Sequence, residues 1–180
     1  MQAVIATSTG KLLDVFNIAE DDITIEEIAH ALSLICRYGG RCEKFYSVAE
    51  HCVVMSKAEF LPGRPLAKLL HDAAETYIGD IVTGLKNCLP EVVEVESHIL
   101  ETIGKKFGVS QEEFEAVKEA DKTMLVTESF HIMSNSFETF QTVYPDNPPN
   151  PRIKLNCWSP EMAELMYIQT FNKIPKIPYL

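Results

Sequence analysis

Three times the chain places a serine or threonine three residues ahead of a glutamate at the start of a run with helical spacing. The runs are Thr24-Ile25-Glu26-Glu27, Ser47-Val48-Ala49-Glu50 and Ser110-Gln111-Glu112-Glu113. In such a capping box the hydroxyl and the carboxylate satisfy amide groups that the first helical turn leaves bare, so each marks a helix start. The first opens a helix with Ile28, Leu32 and Ile35 on its apolar face, which Tyr38-Gly39-Gly40 should end. The second puts His51 just inside a first turn. The third predicts a helix running past Asp121 to about Met133. Pro65, a good first helical residue, opens a helix to about Tyr77 that carries Leu66, Leu69, Leu70 and Ala73 inward and is ended by Gly79. An amphipathic helix spans Glu91 to Phe107 and closes at Gly108, and Ser159-Pro160 starts a last helix to about Asn172. Four prolines make the stretch from Tyr144 to Pro151 a loop. Val4-Ile5-Ala6-Thr7 and Lys11 to Phe16, either side of Thr9-Gly10, read as a small hairpin. The expected fold is all-α, a single helical bundle over residues 1–180 with at most a minor N-terminal ribbon.

The 180 residues suit one domain with an adequate core. A net charge of −10 argues against DNA or RNA as a polymeric partner, since phosphate backbones are bound through basic surfaces. A single nucleotide is still allowed, because a metal and a few local cations can hold its phosphates. Five cysteines without a CxxC pair suggest reduced thiols and a cytoplasmic protein. No apolar run approaches the roughly 18 residues that a membrane span needs. Met1 to Thr7 has no basic segment of a secretion signal.

Function points to Leu70-His71-Asp72-Ala73-Ala74-Glu75. On a helix, adjacent His and Asp present a nitrogen and an oxygen ligand about 100° apart, near enough to share one metal ion. Glu75 lies on the same face, one turn on. For the dipeptide alone a structural explanation would suffice, with Asp72 accepting a hydrogen bond and His71 satisfied in the core. His51 on the preceding helix, Asp121 on a later one and Glu75 turn the balance. They make two nitrogens, two oxygens and a spare carboxylate. That set suits Zn, Co, Mn, Fe or Ni better than Ca or a thiolate zinc site. Four protein ligands on an octahedral ion leave two positions, for water and a phosphate oxygen, and Glu75 is then placed to orient or deprotonate the nucleophile.

His51, His71-Asp72 and Asp121 resemble the H…HD…D signature of the HD-domain metal-dependent phosphohydrolases. The string from His71 to Asp80, with Lys86, is similar to a narrower branch of bacterial 5'-deoxynucleotidases and phage nucleotide phosphohydrolases, including dATP triphosphohydrolases. Ile28 to Ser33, Arg37 to Gly40 and Phe45 to His51 are similar to the phage-type members, and the likeness covers about residues 8 to 130. The resemblance implies a divalent ion on His51, His71, Asp72 and Asp121. It also implies catalytic roles for Glu75 and Asp80, phosphate contacts from Arg37 and Lys86, and Tyr38 beside the nucleobase. The step of twenty positions from His51 to His71 is shorter than in the bacterial 5'-deoxynucleotidases. Arg41 stands where many phage-type members carry histidine, and adds a cation near the pocket mouth.

The expected activity is hydrolysis of a deoxynucleotide, a dNTP such as dATP in preference, with Mg accompanying the triphosphate. A 5'-deoxynucleotidase acting on dNMPs, an alarmone or cyclic-nucleotide hydrolase and a non-catalytic nucleotide sensor are the alternatives. The resemblance also implies a homo-oligomer, in the host cytoplasm for a phage-encoded member. The apolar segment Ile168 to Leu180 is suited to docking on a neighbour or to capping its own bundle. Among the other residues, His30 reads as a hydrogen-bonded core or supporting histidine, His98 as a surface residue, and His131 lies too far along its helix from Asp121. Glu128, seven residues after Asp121, falls on the same helix face and either supports the site or pairs with a lysine or arginine. Lys86 reads as a loop lysine, and Trp158 and Phe171 as core or interface anchors.

Overall fold

A computed structural model describes residues 3–175. The chain is mostly helical, with one small antiparallel sheet at its start. Strands β1 (Val4–Ala6) and β2 (Leu12–Asp14) pair Val4 with Asp14, Ile5 with Leu13 and Ala6 with Leu12, which is the expected hairpin. The helices that follow are α1 (Ile25–Leu34), α2 (Val48–Lys57), α3 (Pro65–Leu70), α4 (Glu75–Ile78), α5 (Thr83–Lys86) and α6 (Pro90–Phe107). Beyond them come α7 (Gln111–Glu115), α8 (Lys118–Ile132), α9 (Phe137–Val143) and α10 (Pro160–Lys173). Helix α10 packs on α1, α2 and α3, and α8 lies against α2 and α9. Ile28, Leu32, Val53, Leu69, Ile99, Ile103, Met124 and Tyr167, all fully buried, belong to the core between them. Of the C-terminal segment expected to dock or cap, residues 176–180 lie outside the described residues. Among the described residues no helix is long and apolar enough to cross a membrane.

All three predicted capping residues cap helices, but only one box closes in both directions. Ser110 accepts from the Glu113 amide, and the Glu113 carboxylate accepts from the Ser110 amide. Thr24 and Ser47 each accept from the amide three residues on. Their glutamates have stronger engagements elsewhere. Glu27 accepts from the Ser8 amide at 3.0 Å. Glu50, fully buried, accepts from the amides of Asn156, Cys157 and Trp158 at 2.7, 3.0 and 2.6 Å. A carboxylate that meets three converging amides is held more firmly than by its own single amide.

Three helix boundaries differ from the sequence reading. Helix α1 stops at Leu34, ahead of the glycines, because the next residues pair with another segment. Val48 donates to the Ile35 carbonyl at 3.0 Å and Arg37 to the Tyr46 carbonyl at 2.9 Å. Residues 37–40 then form a tight turn in which Tyr38 has φ 59° and Gly39 φ 58°. The helix predicted from Ser110 to Met133 is broken at Ala116 and Val117, where Val117 donates to Phe114 three residues back. Val117 is buried there against Gly63.

The third difference shapes the site. The helix predicted from Pro65 to Tyr77 tightens after Leu70 into i→i+3 turns. Ala73 donates to Leu70 at 2.9 Å, Glu75 to Asp72 at 3.0 Å and Tyr77 to Ala74 at 3.0 Å. That switch leaves carbonyls of α3 for side chains. The Tyr167 hydroxyl donates to the Leu69 carbonyl at 2.7 Å, and His71 Nδ1 lies 3.0 Å from the Lys68 carbonyl. His71 and Asp72 therefore sit on a short 3₁₀-like stretch pinned by α10, not on a regular helix.

Candidate metal centre

Four side chains from three parts of the fold converge. His51 comes from α2, His71 and Asp72 from the turn after α3, and Asp121 from α8. His51 Nε2 lies 3.2 Å from His71 Nε2, 3.2 Å from Asp121 Oδ1 and 3.6 Å from Asp72 Oδ2. His71 Nε2 lies 3.1 Å from Asp72 Oδ2 and 3.9 Å from Asp121 Oδ1.

Ring tautomers follow from the partners of the other nitrogens. A carbonyl only accepts, so His71 Nδ1 must donate to Lys68. His51 Nδ1 donates to Glu128 Oε1 at 2.6 Å. Both Nε2 atoms of the neutral rings are then lone pairs that face each other. Two imidazole lone pairs and two carboxylate oxygens at these distances repel unless a positive charge sits among them. Asp121 Oδ1 is buried and makes no hydrogen bond, an acceptor aimed at the same point. The residues therefore fit a divalent ion of borderline softness.

Without an ion, the surrounding carboxylates draw protons to the two rings instead. Burial and the Arg37 charge oppose protonation of His51, yet Glu128 and Asp121 outweigh them and raise it. Burial opposes charge on His71 too, and Asp72 raises it well above the ordinary range. Against its own burial, Asp72 is lowered to about 2 by His71. Asp121 is held far below the carboxylate range by both histidines despite its burial. Both carboxylates therefore stay ionised, and both rings are biased toward positive charge.

Behind it lies Glu128, fully buried on α8. Its Oε1 accepts from His51 Nδ1 and from the Tyr46 hydroxyl at 3.0 Å. Its Oε2 accepts from the Tyr38 hydroxyl at 2.5 Å and from Arg37 Nε at 3.2 Å. The sequence left Glu128 open between support for the site and partner of a cation, and it bonds both His51 and Arg37. A carboxylate behind a ligating imidazole fixes its orientation and raises its basicity.

Asp72 and Asp121 open into a cavity of about 520 Å³. Arg37, Tyr38, Arg41, Asp72, Glu75, Asp80, Lys86 and Asp121 all line it, so every expected site residue except the two histidines borders one space. Two expected phosphate contacts have other engagements. Arg37 Nη1 donates to Asp72 at 3.3 Å besides its bond to Glu128. Lys86, which closes the one-turn helix α5 and does not lie in a loop, pairs with Glu96 at 2.7 Å. Arg41 is exposed and holds the Tyr38 carbonyl at 3.1 Å. Glu75 is 5% exposed, and its Oε2 has no partner. Burial first, then the charges of Asp72 and Asp80, push its carboxyl well above the usual range.

The sequence reading missed Tyr46, Lys118, Lys122 and the wall of Leu125, Met133, Phe140 and Tyr144. Helical spacing from Asp121 would have found Lys118 and Leu125, at i−3 and i+4. Nothing local marks Phe140 or Tyr144. Phe140 meets Tyr38 edge to face, with ring centres 6.1 Å apart. His30 is part-exposed and pairs with Glu164 of α10 at 3.1 Å, away from the centre. His98 and His131 are exposed. Trp158 is partly buried against the core, and Phe171 is buried in edge-to-face contact with Phe107.

No protein-family model matches the chain. It is 34% identical over 174 residues, 96% of each chain, to the uncharacterized protein YfdR of Escherichia coli (strain K12). It is also 34% identical over 110 residues, 56% of each chain, to the uncharacterized protein RCAP_rcc00048 of Rhodobacter capsulatus. The chain belongs to the family of YfdR.

Proposed function

We propose that the chain is a divalent-metal-dependent phosphohydrolase of the HD-domain type that acts on deoxynucleotides, with a dNTP such as dATP preferred. What carries the reading is the convergence of His51 Nε2, His71 Nε2, Asp72 Oδ2 and Asp121 Oδ1, with both aspartates lining one cavity. Zn, Co, Mn, Fe or Ni, held by those four atoms, would supply Lewis-acid polarisation of a phosphoryl oxygen and acidify a water.

The chain's own groups do the rest. The unpartnered Glu75 Oε2 is free to hold a water or carry a proton, and Asp80 borders the same space as the second acid-base group. Arg41, Lys118 and Lys122 bring positive charge to the cavity lining beside Arg37 and Lys86, which suits several phosphates. Tyr38, Phe140, Tyr144 and Leu125 offer apolar surface for a planar base. A 5'-deoxynucleotidase on dNMPs is the second reading, favoured by the engagement of Arg37 and Lys86 with carboxylates, which leaves fewer cations for a polyphosphate.

Incubation with a panel of dNMPs and dNTPs in Co²⁺ or Mn²⁺ tests both. Triphosphate released from dNTPs supports the first reading, and phosphate released only from monophosphates replaces it with the second. Absence of any hydrolysis that Asp72→Ala or Glu75→Gln removes, with nucleotide still bound, would leave a sensor.

A further inference from the structure

Cys36 and Cys42 bracket the turn that carries Arg37, Tyr38 and Arg41. Their sulfurs are 3.5 Å apart, and Cys42 Sγ also contacts the Arg37 carbonyl at 3.6 Å. Both are partly exposed, so a small reagent can reach them. Each is anchored from a different side. Cys36 forms a backbone bridge with Ser47, and Cys42 packs against the cluster of Tyr46, Ile132 and Met133. Between them Gly39 and Gly40 are exposed, with φ 58° and 74°, and give the turn room to adjust. Cys52 is instead fully buried beside His71, and Cys88 is exposed two residues beyond α5, donating to the Gly84 carbonyl.

We propose that Cys36 and Cys42 form a reversible disulfide with a low-molecular-weight disulfide such as oxidised glutathione as the oxidant, and that the bond tunes substrate binding by the turn it closes. The second half rests on the phosphohydrolase reading, and the first does not. Closure shortens the sulfur separation from 3.5 Å to about 2.05 Å, a movement the glycines can absorb. Either sulfur can open the exchange, and in one order Cys36 attacks first. Its thiolate displaces one glutathione thiolate and leaves a mixed disulfide. Cys42 then loses its proton and attacks Cys36 Sγ, expelling the second glutathione. The two protein thiols lose two electrons and two protons, and the small disulfide gains them as two thiols. The ring so formed encloses Arg37, Tyr38 and Arg41 but no metal ligand. Oxidation should therefore shift KM several-fold.

The test treats the full chain with oxidised glutathione, blocks remaining thiols and maps peptides by mass. A Cys36–Cys42 link, two hydrogens lighter, reversed by dithiothreitol, retained in Cys88→Ser and lost in Cys36→Ser, is the expected result. Both thiols remaining free, or a link that joins other cysteines, would overturn the disulfide. A link formed with no change in KM would overturn the tuning. Peptide mapping does not depend on turnover, so failure of the phosphohydrolase reading leaves the disulfide result standing.

Discussion

Replacing Glu128 by Gln keeps the shape of a fully buried side chain and exchanges one acceptor for a donor. Four donors now converge on its two oxygens: His51 Nδ1, the Tyr46 hydroxyl, the Tyr38 hydroxyl and Arg37 Nε. The new amide nitrogen must face one pair. Toward Arg37 it meets a group that can only donate, and no rotation relieves the clash. Toward His51 there is an escape, because imidazole can move its proton from Nδ1 to Nε2. The Nε2–H would then point at His71, Asp72 and Asp121 and remove one ligand from the centre. Changes to a group supporting a metal ligand typically cost about 10–100-fold in metal affinity, and Glu128→Gln should fall in that range. Arg37 also loses its buried counter-charge. Removing one partner of a buried pair costs about 3–5 kcal/mol, and Asp72 at 3.3 Å keeps the cost near the lower end. For a chain of this size about 3 kcal/mol lowers Tm by roughly 6–12 °C. Calorimetric titration with Mn²⁺ or Co²⁺ measures the first effect, and melting in chelator the second. Tyr46→Phe is the control, since it removes a donor without redirecting His51. A folded Glu128→Gln protein with wild-type metal affinity would refute the tautomer argument.

Metal itself should act as a stabiliser, since an ion that binds the folded centre finds no such arrangement of ligands in the unfolded chain. An ion at about 100 times its Kd adds about 2.7 kcal/mol, and Asp121→Ala should abolish that rise in Tm. Tyr38→Phe removes one donor from Glu128 but leaves Arg37 Nε on the same oxygen, so it should cost about 1 kcal/mol and raise KM more than it lowers kcat. Glu50→Ala strips the acceptor from the amides of Asn156, Cys157 and Trp158. It should cost about 3 kcal/mol or more in a thermal melt while metal affinity stays unchanged.

Most helix starts, the hairpin and the chemical types of the candidate ligands were legible in the sequence. Thr24, Ser47, Ser110 and Ser159 each cap a helix as read, because a cap needs only a side chain and an amide two or three residues away. His51, His71, Asp72 and Asp121 could be picked out because few residue types bind such an ion. Tertiary structure drew Glu27 to Ser8 and Glu50 to the amides of residues 156–158, while Glu113 kept its own box. It ended α1 at Leu34 through pairing with residues 46–48, and it tightened the chain after Leu70, where Tyr167 and His71 take carbonyls of α3. Tertiary structure alone joined Glu128 to His51, Tyr46, Tyr38 and Arg37, across separations of 77 to 91 residues. No local signal carries such a choice. A buried carboxylate takes whichever donors packing brings within reach, and packing is a property of the whole chain.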